Sequence, residues 1–171
     1  MNTLRSYLRS GAFFALGIVV GTLLLGRTSA QSNLKTGLRL NHVGIAVKDF
    51  QGTVDFYTKV MGFRKAFGGS TPDGKPSTIY LQISRDTFLE IAPATEQLPE
   101  GITHIGIQAE DAEATVKRLR EGGATVTDAR VVPVLSKAKL ANVTDPNKIR
   151  LELNEAIPGS LTRQAMDSWV E

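Results

Sequence analysis

Two histidines and two glutamates are the residues of this sequence best suited to chemistry, because they recur as pairs at one fixed spacing. His42 and Glu90 each have a counterpart 62 positions later, at His104 and Glu152. Imidazole nitrogens and carboxylate oxygens are both good ligands for divalent transition metals. A single strand histidine is more often a hydrogen-bonded core residue, and a single strand glutamate more often faces solvent at an edge. Those ordinary explanations would have to hold at four related positions. The sequence therefore predicts that these four side chains bind one divalent metal ion.

The same spacing extends to the residues around the four and indicates an internal duplication. Three separated blocks share it: residues 41–49 with 103–111, 53–54 with 115–116, and 89–91 with 151–153. Blocks that repeat in one register are typical of a structural unit present twice. If the two copies pack about a local twofold axis, the four side chains converge on one point.

Each copy has the pattern of a βαβββ unit. Alternating runs at 40–47 and 102–109 predict the first strands, and helices follow at Phe50–Met61 and Ala112–Glu121, with Asp49 and Asp111 as N-caps. Three short strands complete each copy, near 63–67, 78–83 and 87–92 in the first and near 125–127, 139–143 and 149–154 in the second. We therefore predict an α+β fold. Two tandem βαβββ modules, 38–93 and 102–155, form a curved mixed sheet around a metal-binding cleft.

Strand periodicity separates an apolar face from the face that carries the four residues. In the first strand His42 shares its face with Gly44, and in the equivalent strand His104 shares its face with Gly106. We interpret these small neighbours as room for a substrate beside the ligands. Arg150 lies on the same face as Glu152 and is either a substrate anion contact or a cation that reaches solvent.

The segments between and after the strands are predicted to be loops and one terminal helix. Residues 68–77 and 133–137 are rich in polar residues, glycine and proline, which favours loops. Residues 156–171 are predicted to form a helical tail, capped by Ser160, with Leu161, Ala165 and Trp169 on one side.

The first thirty residues have the pattern of an export signal. Arg5 and Arg9 precede an apolar run at 11–26, and a small-residue cleavage site ends at Ala30. Sixteen residues are short for a membrane span of roughly 20, which favours a cleaved signal peptide over an anchor. We therefore predict an exported, periplasmic or secreted protein with no membrane attachment after cleavage.

Charge and composition narrow the classes of partner. Removing the three signal arginines from 20 basic residues leaves 17, which balances the 17 acidic residues, so nothing favours nucleic-acid binding. The chain has no cysteine, which excludes disulfides and thiolate metal sites. A small-molecule substrate and, as a further possibility, a homodimer remain as the expected partners.

Three motifs resemble the vicinal-oxygen-chelate superfamily, which includes glyoxalase I, methylmalonyl-CoA epimerase, extradiol dioxygenases, and the fosfomycin and bleomycin resistance proteins. They are LNHVGIAVKD at 40–49, FYTKVMGF at 56–63 and TDPNKIRLEL at 144–153. Lys148 departs from the family, which commonly has glycine there.

The resemblance implies a function as well as a fold. The set His, Glu, His, Glu is similar to that of bacterial glyoxalase I, with nickel, zinc, cobalt, manganese or iron as the metal. The reaction implied is that of a lyase or isomerase using metal-stabilised enediolate chemistry, with Glu152 or Glu90 as the general base. Two alternatives stay open: another metalloenzyme of the superfamily, such as a dioxygenase or epimerase, and a binding or sequestration protein without turnover.

Overall fold

A computed structural model describes residues 37–170 of the chain. The strands of the first module are β1 (Arg39–Val47), β2 (Arg64–Ser70), β3 (Pro76–Ser84) and β4 (Thr87–Pro93). Those of the second are β5 (Gly101–Gln108), β6 (Arg130–Val131), β7 (Lys139–Thr144) and β8 (Arg150–Glu155). The helices are α1 (Phe50–Asp55), α2 (Ala112–Glu121) and α3 (Leu161–Asp167). The proposed signal peptide, residues 1–30, lies outside the described residues.

One mixed sheet unites the two modules and confirms the predicted fold class. Its strand order is β2-β3-β4-β1-β5-β8-β7-β6, so equivalent strands lie at mirrored places about the centre. The first and last strand of each module pair in parallel, whereas β1 and β5 pair antiparallel across the middle. Antiparallel pairing of two equivalent strands is what a local twofold axis requires. The centre of the sheet is therefore the junction between the two copies.

The two first helices cover one face of the sheet, each over its own module. Val54 of α1 packs in a cluster with Leu81, Leu89 and Ile91. Val116 of α2 lies in the corresponding cluster of the second module, with Ala141, Val143 and Leu153. Asp49 and Asp111 each accept a hydrogen bond from the backbone N–H group three residues later, at Gly52 and Ala114. Both residues therefore cap their helices as predicted. The opposite face of the sheet is left for His42 and the other three residues.

Several element boundaries differ from the sequence prediction. The first helix ends at Asp55 and continues as a π-helical turn, Phe56–Val60, in which the Met61 amide donates to the Phe56 carbonyl. The loop expected at 68–77 is shorter, because β2 and β3 extend as a hairpin beyond the predicted ends. The strand expected at 125–127 is only one isolated bridge, Val126 with Val143, and β6 follows it.

A C-terminal helix forms over Leu161–Asp167, within the range predicted for a helical tail. Ser160 accepts a hydrogen bond from the Arg163 amide and caps α3. The buried residues are Thr162, Ala165 and Met166, whereas Trp169 lies beyond the helix end against the Arg64 guanidinium. Ala165 and Met166 pack on the face of the sheet that α1 and α2 leave free, against Tyr80 and Phe88. No helix within residues 37–170 is both long enough and apolar enough to cross a membrane.

Candidate metal centre

The four predicted ligands come together at the centre of the sheet, within a single chain. His42 Nε2 lies 2.8 Å from His104 Nε2, and each module supplies one of these imidazoles. Glu90 Oε2 lies 3.4 Å from His42 Nε2 and 3.3 Å from His104 Nε2. Glu152 Oε1 lies 3.6 Å from His42 Nε2. His42, His104 and Glu152 each offer a ligand atom within 4.8 Å of the others, a group that could hold a metal ion.

Backbone register explains why both imidazoles fit at the junction. In the antiparallel pairing of β1 with β5, His42 lies opposite Gly106 and His104 lies opposite Gly44. A Cβ atom on Gly106 would lie 2.1 Å from His42 Nδ1, and one on Gly44 would lie 2.3 Å from His104 Cε1. The expectation that these glycines leave room for a substrate was therefore wrong. Each makes room for the imidazole of the other module.

The residue before each histidine orients its ring. The Nδ1 atom of His42 lies 2.8 Å from the Asn41 side-chain oxygen, and that of His104 lies 2.9 Å from the Thr103 hydroxyl. An amide oxygen can only accept, so His42 carries its proton on Nδ1 and presents a lone pair at Nε2. The Asn41 amide group donates in turn to the Asp86 carbonyl, which fixes its orientation. Such partners outside the ligand set are what hold ligating histidines in place.

The donor set fits a divalent ion. Both imidazole rings are buried, with 0 % and 3 % of the side chain exposed, and the two nearby carboxylates are 16 % and 11 % exposed. Two carboxylates this deep lose hydration, and the charge of Glu90 contributes to the raised pKa of Glu152, so keeping both ionised is costly without a nearby cation. Two nitrogens at 2.8 Å need a shared proton or a cation as well. A divalent metal would satisfy all four groups at once.

The two carboxylates differ in their surroundings. Tyr80, which the sequence analysis missed, donates a hydrogen bond of 2.6 Å to Glu90 Oε2. Burial raises the pKa of Glu90, but the hydrogen bonds that it accepts from His104 and Tyr80 oppose this effect, and the pKa is lowered overall. Burial raises the pKa of Glu152, whose side chain receives no hydrogen bond from a described residue. Glu90 is thus the more firmly held anion and Glu152 the stronger base.

Tyr80 and His42 are both held in one protonation state at neutral pH. Burial, with the negative charge of Glu90, raises the pKa of the Tyr80 hydroxyl well above 10, so it remains a donor. Burial lowers the pKa of His42 from 6.5 to about 4, although the charge of Glu90 opposes that change. A neutral His42 is ready to bind a metal without first releasing a proton.

The lowered pKa of His42 predicts a stability change on acidification. Between pH 6.5 and about 4 the unfolded chain carries a proton on His42 that the folded chain does not. The unfolded state binds more protons, so falling pH favours it, and the metal-free protein should lose ~3 kcal/mol of unfolding free energy across this window. Urea unfolding of chelator-treated protein at pH 7 and at pH 4.5 measures this loss. The His42→Gln variant should lose less over the same range; an unchanged loss would contradict the assignment.

The fold, with its two modules joined in one sheet, is of a known type. The chain belongs to the glyoxalase/bleomycin resistance protein/dioxygenase superfamily, whose family model matches residues 39–153. This range includes all four predicted ligands and excludes α3.

Characterised relatives are enzymes with different reactions. The chain is 26% identical over 125 residues to a lactoylglutathione lyase of Escherichia coli O157:H7, covering 69% of this chain and 93% of the relative. It is 31% identical over 98 residues to an ethylmalonyl-CoA/methylmalonyl-CoA epimerase of Cereibacter sphaeroides, covering 52% and 73%. Methylmalonyl-CoA epimerase from Mycobacterium tuberculosis shares the fold, with a TM-score of 0.59, 23% identity, and 78% and 96% of the two chains covered.

A dioxygenase shares the fold as well. The 2,3-dioxygenase of Pseudomonas sp. KL28 matches with a TM-score of 0.59 and 18% identity, over 68% of this chain and 42% of that one. A lyase, an epimerase and a dioxygenase therefore all resemble this chain, and the choice among their reactions depends on the residues of its own site.

Proposed function

We propose that this protein is a divalent-metal-dependent enzyme of glyoxalase type, a lyase or isomerase that removes a proton beside two neighbouring substrate oxygens. His42, Glu90, His104 and Glu152 would hold the metal, with Ni, Zn, Co, Mn or Fe as candidates. The observation that carries the proposal is the difference between the two carboxylates: Glu90 accepts a hydrogen bond from Tyr80, whereas Glu152 accepts none from a described residue and has a raised pKa. A site that only stores a metal has no need for that difference.

The chain's own residues supply the steps of such a reaction. When bound, a divalent ion supplies Lewis acidity to the two substrate oxygens. Glu152, once its carboxylate has left the metal, accepts the proton from the neighbouring carbon at Oε1 or Oε2, because no hydrogen bond from a described residue holds its side chain in place. Glu152 then returns the proton to the adjacent position. Glu90, held by the Tyr80 hydroxyl, stays in place and keeps its negative charge.

Solvent-isotope exchange tests this assignment. In D₂O, the metal-loaded protein should introduce deuterium at the carbon next to the carbonyl of small α-hydroxycarbonyl compounds, as followed by NMR. The Glu152→Gln variant should lose this exchange by ~100-fold or more, since general bases contribute roughly 10²–10⁴-fold. Wild-type protein that binds metal but promotes no exchange would refute the glyoxalase-type chemistry and leave a binding protein.

A dioxygenase-type site is the second candidate, because His42, His104 and Glu152 alone satisfy the geometry of a three-ligand site. The Glu90→Gln variant separates the two. If all four residues bind the ion, metal affinity should fall by at least ~10-fold, as the charged ligand becomes neutral while its volume is kept. Titration with Co²⁺ or Zn²⁺ measures the affinity, and Glu155→Gln, a carboxylate at the end of β8, is the matched control. Unchanged affinity in Glu90→Gln would favour the three-ligand site.

Export through residues 1–30 also remains part of this proposal. An exported location suits a substrate that is neither a coenzyme A conjugate nor confined to the cytosol.

A further inference from the structure

The duplication is kept at the four ligands and broken at two positions beside them. Tyr80 and Phe88 of the first module correspond, at the same spacing of 62, to Asn142 and Arg150 of the second. All four lie on the face of the sheet that carries the metal ligands, since Tyr80 pairs with Glu90 and Asn142 pairs with Glu152 in register. The centre therefore has an aromatic side and a polar, cationic side.

The aromatic side is closed by the C-terminal helix. Phe88 is fully buried and Tyr80 is 4 % exposed, and both pack in one cluster with Ala165 and Met166 of α3. The helix is fastened there, because Gln82 Nε2 donates to the Ala165 carbonyl and Arg64 donates to the Ala165 and Ser168 carbonyls. A substrate cannot approach the metal ligands through this packed layer.

The polar side is open and its cation has unused donors. The Arg150 side chain is 45 % exposed. Among residues 37–170, its guanidinium makes one hydrogen bond, a long one of 3.4 Å from Nη1 to the Asn142 side-chain oxygen. Nη1 lies 4.0 Å from Glu152 Oε2, which is too far for a hydrogen bond. Most of the five N–H donors of this guanidinium are therefore free beside the candidate base.

The charges of the centre also call for an anion. The two positive charges of a divalent ion would be cancelled by the two negative charges of Glu90 and Glu152. The guanidinium of Arg150 then gives the site one net positive charge. A guanidinium fork matches a carboxylate or phosphate in geometry as well as in charge.

We propose that Arg150, positioned by Asn142, binds an anionic group of the substrate next to the two oxygens that chelate the metal. The inference rests on the proposed metal-dependent function and narrows its substrate class to small vicinal-oxygen compounds that carry a carboxylate or a similar anion. Binding at this place would set the reacting carbon beside Glu152, two residues along the same strand.

Two small chelators of similar size test the proposal on the metal-loaded protein. Oxalate forms a five-membered chelate and leaves two charged oxygens pointing outward, whereas acetohydroxamate forms the same ring and carries a methyl group there. Calorimetric titration should show that Arg150→Gln weakens oxalate binding by about 10- to 100-fold, the range of a charge-assisted hydrogen-bonded pair. Acetohydroxamate binding should change less than threefold, and Arg150→Lys should restore part of the oxalate affinity.

The controls separate this inference from the function on which it rests. Arg85→Gln removes a more exposed arginine from the β3–β4 turn and should affect neither chelator. If the protein holds metal but Arg150→Gln binds oxalate as well as wild type does, or loses both chelators equally, the anion contact is refuted while the metal centre stands. If wild-type protein binds no metal, both the proposed function and the anion contact fail.

Discussion

Replacing either His42 or His104 by alanine is expected to lower metal affinity by more than about 100-fold. Each variant deletes one nitrogen from a single ion's ligand set, and even partners outside such a set are worth roughly 10- to 100-fold. The two losses should be alike, because the two Nε2 atoms lie 2.8 Å apart and the rings occupy equivalent positions about the junction of β1 and β5. Metal content by mass spectrometry and competition with a chelator of known affinity measure both.

Gln108→Ala is the matched control for the histidine variants. Gln108 is buried on the same face of the same strand as His104, but it lies outside the ligand set. It should retain full metal stoichiometry. One histidine variant that keeps wild-type affinity would show that the ion, if bound, is not shared between the modules.

Gly106→Ala is expected to have the second-largest effect, through packing alone. The new methyl group would overlap the His42 ring, whose atoms lie 2.1 and 2.2 Å from the Cβ position. The ring cannot simply turn aside, because the hydrogen bond between His42 Nδ1 and the Asn41 side-chain oxygen fixes its orientation. Overpacking of this kind costs typically 1–3 kcal/mol, so we expect ~2 kcal/mol less stability and at least a tenfold weaker metal site.

Denaturant unfolding with and without metal checks the glycine prediction. Gly44→Ala should behave in the same way, since its Cβ position is 2.3 Å from the His104 ring. Gly122→Ala is the control, because a Cβ there would make only an ordinary contact, 3.4 Å from the Leu119 carbonyl. If Gly106→Ala and Gly122→Ala were equally stable and bound metal equally well, the close approach of ring and backbone would be wrong.

The sequence predicted the parts of this structure that the duplication repeats. The spacing of 62 residues located the two modules, the four candidate ligands and the caps of both first helices. Residues with equivalent roles in the two modules remain alike in sequence. The close approach of Gly44 and Gly106 to the histidines could also have been predicted from the duplication. Antiparallel pairing of β1 with β5 about a twofold axis places each glycine opposite the other module's histidine.

The parts that were missed depend on contacts between distant segments. Tyr80 could have been found from the β3–β4 hairpin, whose short turn sets it opposite Glu90, but its role needs the burial that α3 provides. The buried residues of α3 could not be chosen from the sequence, because residues 161–169 offer apolar groups on more than one side. Only the packing on Tyr80 and Phe88 selects Ala165 and Met166. Lys148 stands where the family commonly has glycine, and it adopts the left-handed backbone conformation that favours glycine, with φ of 66°.

The division of the ligands between the modules also bears on how the domain folds. Each module supplies only two of the four candidate ligands, so a metal would gain its full affinity only after β1 and β5 have paired. A bound ion would then link two segments that are 62 residues apart in the chain, and it would stabilise the paired state by mass action. The metal-loaded domain would therefore resist separation of β1 from β5 more strongly than the metal-free domain.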